Sequence, residues 1–142
     1  MRHCSFAQES TRYVKYDGQM EFIKPVWCSG HLIGTWPKQS DVPADAPSDI
    51  PLGEKLWMAA MERAEQDYKI LLHAGWKAQQ AREILPNSLK TEIVMKANIR
   101  EWRHIFSLRC AKASHPQMVE LMRPLLKEVQ GKIPVVFDDL IF

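Results

Sequence analysis

The apolar positions of this chain fall into two rhythms. From Leu52 to about Gln80, Leu56, Trp57, Ala60, Met61, Ala64, Tyr68, Leu71 and Leu72 return at three- and four-residue steps. Glu62, Arg63, Glu65, Gln66, Asp67 and Lys69 lie between them. Such a stripe predicts an amphipathic helix whose methionine and aromatic members are core. Gly75 kinks or ends it. A short second helix, Lys77 to Ile84, stops before Pro86, because the residue preceding proline avoids helical dihedrals.

The second rhythm is alternation. Residues 12–26, RYVKYDGQMEFIKPV, predict two short strands about the turn dipeptide Asp17-Gly18. Leu89 to Ala97, with Thr91, Ile93 and Val94, predicts another strand. Asn98 then caps a helix to about Cys110, with Glu101 three residues on in a capping-box-like arrangement. A last helix opens at Pro116, with Ser114 or His115 as its cap, and runs to about Gln130 before Gly131 stops it. Pro124 inside it predicts a kink or a restart. The closing IPVVFDDLIF is an apolar tail that needs a surface.

Between residues 26 and 53 neither rhythm holds. Pro37, Pro43, Pro47 and Pro51, with Asp41, Asp45, Ser48 and Asp49, make a proline-rich loop at about 37–52, while Trp27, Ile33 and Trp36 suggest that part of the stretch packs down. Few strands beside long helices indicate an α+β fold.

Composition narrows the class. A chain of 142 residues, 46% hydrophobic and 25% charged, fits one globular domain, residues 1–142. No apolar run reaches bilayer length and the charged start is no secretory signal, so the expectation is no membrane and a cytoplasmic protein. Cys4, Cys28 and Cys110 are odd in number and without CxxC spacing, which argues against a disulfide framework and a zinc site. Cys28 and His31 lack a partnering pair, and no metal is expected. A net charge of +2 is too slight to indicate nucleic acid.

Candidate chemistry begins at the front. Arg2-His3-Cys4-Ser5-Phe6-Ala7-Gln8-Glu9-Ser10-Thr11-Arg12-Tyr13 gathers two arginines, serines and amide or carboxylate groups. Arginine presents a rigid fork of donors suited to phosphate, and hydroxyls and amides fill in around it. On composition alone an anion site and a solvated loop both account for it.

The order of these residues resembles a known signature. Arg2, the seven residues His3 to Glu9, and then Ser10 match the end of the Arg-His-Arg, seven residues, Ser motif of the flavin-dependent thymidylate synthases. Met1 stands where that family has its histidine, and the first arginine is absent. AREILP at 81–86, NIREWRHIFSLR at 98–109 and SHPQM at 114–118 follow in the family's order. The resemblance covers the chain apart from the proline-rich loop.

It implies a ThyX-like fold, a small antiparallel sheet with long helices, with the N-terminal part of the family fold missing. It also implies conversion of dUMP to dTMP, with methylenetetrahydrofolate as carbon donor, FAD as the flavin and NADPH as reductant. Ser10, Arg12 and Arg82 look like binders of the dUMP phosphate and sugar. Gln8 falls where the family commonly has glutamate, and Ala7 where it has asparagine. Arg109, with Leu108, matches the arginine that faces the uracil base and is the candidate catalytic residue. Arg2, Asn98, Arg100, His104 and His115 match the flavin side, His104 replacing an amide seen in some relatives. The family builds its active sites between the subunits of a homotetramer; an N-terminal partner chain is the other way to complete one. A different class is a truncated, non-catalytic homologue that oligomerises and binds a nucleotide without turnover.

These residue types suit that chemistry on physical grounds. A nucleotide phosphate needs charge-assisted donors, and a cation beside the uracil carbonyl stabilises negative charge as C5 becomes nucleophilic. Hydride and carbon transfer belong to flavin and folate, so no nucleophilic cysteine is required and Cys4 reads as structural. At about 100° per residue, Asn98, Trp102, Ile105 and Arg109 share one helix face, and Arg100, Arg103 and His104 another. Either the helix end splays Arg109 aside or the helix lies between pockets. The plain alternative makes Arg100 and Arg103 a solvated face and Trp102, Ile105 and Leu108 core.

Overall fold

The computed structural model describes residues 4–28, 35–36 and 50–142. In chain order the strands are β1 (Cys4–Gln8), β2 (Phe22–Ile23), β3 (Thr35–Trp36) and β4 (Ile93–Ala97). The helices are α1 (Leu52–His73), α2 (Ala78–Ala81), α3 (Ile99–Arg109), α4 (Pro116–Lys132) and α5 (Pro134–Phe137). Two compact units result, one of Gln8–Glu92 and one of Ile93–Phe142 with the segment up to Ala7. The mixture of long helices with a small antiparallel sheet is the α+β class expected. Most of the proline-rich loop lies outside the described residues; its last position, Leu52, already belongs to α1.

The Gln8–Glu92 unit is organised on α1. Tyr68 is fully buried, and Trp57, Met61, Leu71 and Leu72 join it against Met20, Phe22 and Ala81. The stripe departs from expectation in part: Leu56 and Ala60 are exposed, whereas Met58 and Glu65 are buried. Burying a carboxylate is tolerable only with partners. Glu65 has them, accepting from Lys69 Nζ and from the Met20 amide.

Gly75 ends α1 rather than kinking it. Its φ of +90° is open to glycine at little cost. The Trp76 amide donates to the Leu71 carbonyl and the Gly75 amide to Leu72, both at 3.0 Å, which makes a Schellman cap. The second predicted helix is split, α2 passing into a single 3-10 turn, Arg82–Ile84, that finishes before Pro86.

The hairpin expected about Asp17-Gly18 does not form. Residues 11–13 are a turn, and β2 pairs antiparallel with β3 instead, Phe22 opposite Trp36. Tyr16 explains the failure. Its ring packs edge-on against Tyr68, centroids 6.4 Å apart, and its hydroxyl donates to Glu9 at 2.7 Å. The segment is therefore anchored by side chains to α1, not by a strand ladder. Leu89 bridges Phe22 in the same unit, so the strand predicted from Leu89 begins only at Ile93.

In the other unit β1 pairs with β4, and α3, α4 and α5 enclose Phe106, Cys110, Met122, Leu126 and Phe137. Phe106 meets Phe137 edge-on, centroids 5.8 Å apart at 88°. Asn98 caps α3 as expected, its Oδ1 accepting from the Glu101 amide at 2.8 Å. His115 caps α4.

That helix neither restarts at Pro124 nor stops at Gly131. Proline denies the Glu120 carbonyl its donor, but both residues are exposed, where water can serve the carbonyl. Buried Met122 and Leu126 on either side hold the helix down. The apolar tail finds its surface here. Phe137 enters the core, and Gln130 Nε2 donates to the carbonyls of Phe137 and Leu140 at 3.0 and 3.1 Å. Among the described residues no helix is long and apolar enough to cross a membrane.

Candidate functional site

The predicted site residues divide between the two units, and each group has its own geometry. In the Gln8–Glu92 unit, Ser10 opens a tight turn. Its carbonyl accepts from the amides of Tyr13 and Val14 at 3.0 and 3.1 Å, and its Oγ accepts from the Arg12 amide at 3.3 Å. The Ser10 hydroxyl still has its own proton to donate. Arg12 is exposed, its guanidinium 5.2 Å from the Tyr13 ring centroid. Such a cation–π contact steadies the fork without neutralising its charge. Gln8 Nε2 donates to Thr91 Oγ1 at 3.3 Å.

Arg82 stands in the 3-10 turn, half-buried, and among the described residues its one carboxylate approach is a long 3.9 Å to Glu83. Close by Ser10 in sequence, burial first and then Glu9 push the Tyr16 phenol up to about 12. Arg2 lies outside the described residues.

In the other unit, α3 positions most of the remainder. Its cap and first turn line an open cleft of about 660 Å³ formed by Ala97, Asn98, Ile99, Arg100 and Glu101. A helix N-terminus presents free amides and a positive dipole end, and Arg100 adds a full charge. Glu101 in the first turn partly offsets that field. Asn98 already uses its side-chain oxygen on the helix, which leaves the amide NH₂ to address a ligand. His104, one turn further along, is exposed.

Arg103 is not part of a solvated face. Nη1 donates to Asp139 Oδ1 at 2.6 Å and to the Val136 carbonyl, fastening α3 to the tail. Trp102 and Ile105 pack on the core, whereas Leu108 is 52% exposed and so not core. Arg109, one turn beyond half-buried Ile105, is exposed. The helix end has carried it out to solvent. His115 accepts from the Gln117 amide through Nδ1 at 3.3 Å, so a neutral ring in this cap carries its proton on Nε2.

The arginines thus sort by commitment. Arg63 pairs with Asp67, Arg103 with Asp139, and Arg123 donates twice to the Cys110 carbonyl. Arg12, Arg100 and Arg109 have no carboxylate within ion-pair distance among the described residues.

Two side chains from beyond α3 hold its end in a way the sequence does not signal. Ser114 Oγ donates to the Leu108 carbonyl at 2.7 Å, and Arg123 Nε and Nη2 reach the Cys110 carbonyl at 3.1 and 3.0 Å. Ser114, a cap candidate for α4 by sequence, serves α3 instead, and His115 is the α4 cap. Nothing in the local pattern links Arg123 to Cys110, the cap residue of α3 thirteen positions earlier. Among the described residues no three His, Cys, Asp or Glu side chains gather as metal ligands.

Comparison with known proteins gives one consistent family. The model of the thymidylate synthase complementing protein family matches residues 1–135. A flavin-dependent thymidylate synthase of Geobacter sulfurreducens is 28% identical over 141 residues, covering 97% of this chain and 52% of that protein. That of Corynebacterium glutamicum is 30% identical over 139 residues, covering 97% and 53%. The chain therefore spans about half the length of the curated relatives it matches.

Among solved structures, the flavin-dependent thymidylate synthase ThyX from Helicobacter pylori, complexed with FAD and dUMP, superposes with a TM-score of 0.67 at 21% identity. The match covers 99% of this chain and 64% of that one, so the shared fold accounts for part of the larger structure. The family match over most of the chain and the common fold agree: the chain belongs to the thymidylate synthase complementing protein family, that of the flavin-dependent thymidylate synthases.

Proposed function

We propose that this protein acts in the FAD-dependent methylation of dUMP to dTMP, with methylenetetrahydrofolate as carbon donor and NADPH as reductant. One observation carries the reading beyond family membership. Arg12, Arg100 and Arg109, three of the arginines that match the family's ligand-binding positions, have no internal carboxylate partner among the described residues, while neighbouring Arg103 does. Unneutralised guanidiniums on fixed backbone suit an anionic ligand.

In this assignment Ser10, Arg12 and Arg82, with Gln8, hold the phosphate and sugar of dUMP. Arg109, with Leu108, faces the uracil ring, where its charge stabilises the electron density that makes C5 nucleophilic. The first turn of α3 fits a phosphate-bearing cofactor in its donor set: free helix amides, the Arg100 guanidinium and the Asn98 NH₂ at an open cleft. Arg2, Asn98, Arg100, His104 and His115 would hold FAD. When bound, the reduced flavin supplies the hydride; the chain supplies position and electrostatics. A homotetramer sharing its active sites between subunits is part of the same proposal.

The same uncommitted arginines also suit a second reading, a homologue that oligomerises and binds a nucleotide without turnover. Purified protein separates the two. A yellow protein that forms dTMP from dUMP, methylenetetrahydrofolate, FAD and NADPH supports the enzyme, in isolation or with a separately supplied N-terminal piece. A colourless protein that binds dUMP but makes no dTMP under either condition supports the second reading. Absence of dUMP binding sinks both.

A further inference from the structure

We infer that Arg123 and Ser114 are positioning residues for the base-recognising end of α3, acting through the backbone on either side of Arg109. The inference rests on the dUMP reading of Arg109 proposed above.

The last carbonyls of a helix lack intrahelical donors. At the end of α3 two of them are taken by side chains from beyond the helix. The Leu108 carbonyl accepts from Ser114 Oγ at 2.7 Å, and the Cys110 carbonyl accepts both Nε and Nη2 of Arg123 at 3.1 and 3.0 Å. Arg109 sits between these pinned carbonyls. Its backbone is therefore held on both sides while its guanidinium projects into solvent.

Two further observations mark the clasp as more than a surface contact. Cys110 is fully buried, in the core cluster with Phe106 and Met122, so its carbonyl has little access to water and depends on Arg123. Arg123 has no carboxylate in ion-pair range among the described residues, so its charge is directed at the negative end of the helix. A long exposed arginine loses rotamer freedom on binding a ligand, and a fixed Cα confines that loss to the side chain.

Calorimetric titration of the protein with dUMP and with 2-deoxyribose 5-phosphate, which lacks the base, tests the inference. Arg123→Gln should weaken dUMP about tenfold and leave the sugar phosphate unaffected, because coupled neighbours change one another's contribution by this order. Arg123→Lys, which keeps the charge and one donor, should recover most of the affinity. Added to Arg109→Ala, Arg123→Gln should produce no further loss, since its effect runs through Arg109. Equal weakening of both ligands, additive losses, or unchanged dUMP affinity in a folded Arg123→Gln protein would overturn the positioning role. If Arg123→Gln fails to fold, Ser114→Ala, which removes only the bond to Leu108, must show the same base-selective and Arg109-dependent loss. Failure of the unmodified protein to bind dUMP is a different outcome: it removes the nucleotide assignment and this inference with it.

Discussion

The Arg103 guanidinium grips the Asp139 carboxylate, Nη1 to Oδ1 at 2.6 Å, while reaching the Val136 carbonyl from the same nitrogen. One side chain of α3 thereby ties down both ends of the segment that brings Phe137 into the core.

The pair sets a pH dependence. The hydrogen bond from Arg103, offset in part by desolvation, holds the Asp139 carboxyl below its ordinary value of 3.8. A depressed folded-state pKa gives stability that is present above the unfolded value and lost as pH falls through the folded one. Asp139→Asn should lower the melting temperature near neutrality, modestly because the pair is partly exposed. The gap to the parent protein should close in acid. A gap constant with pH would exclude this role.

Phe106 is fully buried between Trp102 and Phe137, with ring centroids at 5.5 and 5.8 Å. Phe106→Ala should cost about 3–5 kcal/mol by urea denaturation, the usual range for a large core truncation.

Gly75 has φ +90° with open space around the position of a Cβ. Gly75→Ala should therefore cost only the left-handed backbone penalty, about 1–2 kcal/mol. A larger loss in chemical denaturation would mean that packing is also disturbed.

Burial and the bond to Glu9 raise the Tyr16 phenol from 10.0 to about 12. The folded state then retains this proton where the unfolded state gives it up, so the contribution is full below pH 10 and disappears towards pH 12. Between those limits the parent protein should lose stability more steeply than Tyr16→Phe in alkaline denaturation. Parallel curves would refute the coupling.

Arg109→Ala should abolish dTMP formation and leave the circular dichroism spectrum intact. Arg12→Ala and Arg82→Ala should each weaken dUMP by about 2 kcal/mol in calorimetry, the scale of a lost charged hydrogen bond. Near-full turnover in folded Arg109→Ala would remove it from the chemistry.

The helices were legible in the sequence because their signals are local. The α1 stripe, the Asn98 cap and Pro116 at a helix start each involve residues within a few positions of one another. The hairpin expected over residues 12–26 does not form because strand propensity does not say which partner wins, and Tyr16 is claimed by Tyr68, fifty-two residues away. Glu65 looked like the polar side of a stripe; only the Met20 amide and Lys69 make its burial tolerable. The arginine positions could be picked out by their order in the chain. Which of them were already committed to partners could not, since Asp139 and the Cys110 carbonyl come to them through the packing of α3, α4 and α5.

A rigid rod fixes distance and bearing together. The helix from Ile99 to Arg109 sets its two ends about 15 Å apart at 1.5 Å per residue. Inserting one residue near its middle would lengthen it only slightly but swing everything beyond through about 100°. Arg109 would then face a new direction while Asn98 and Arg100 stayed where they were. A point substitution on this rod alters one side chain; a change in its length re-aims every side chain beyond it.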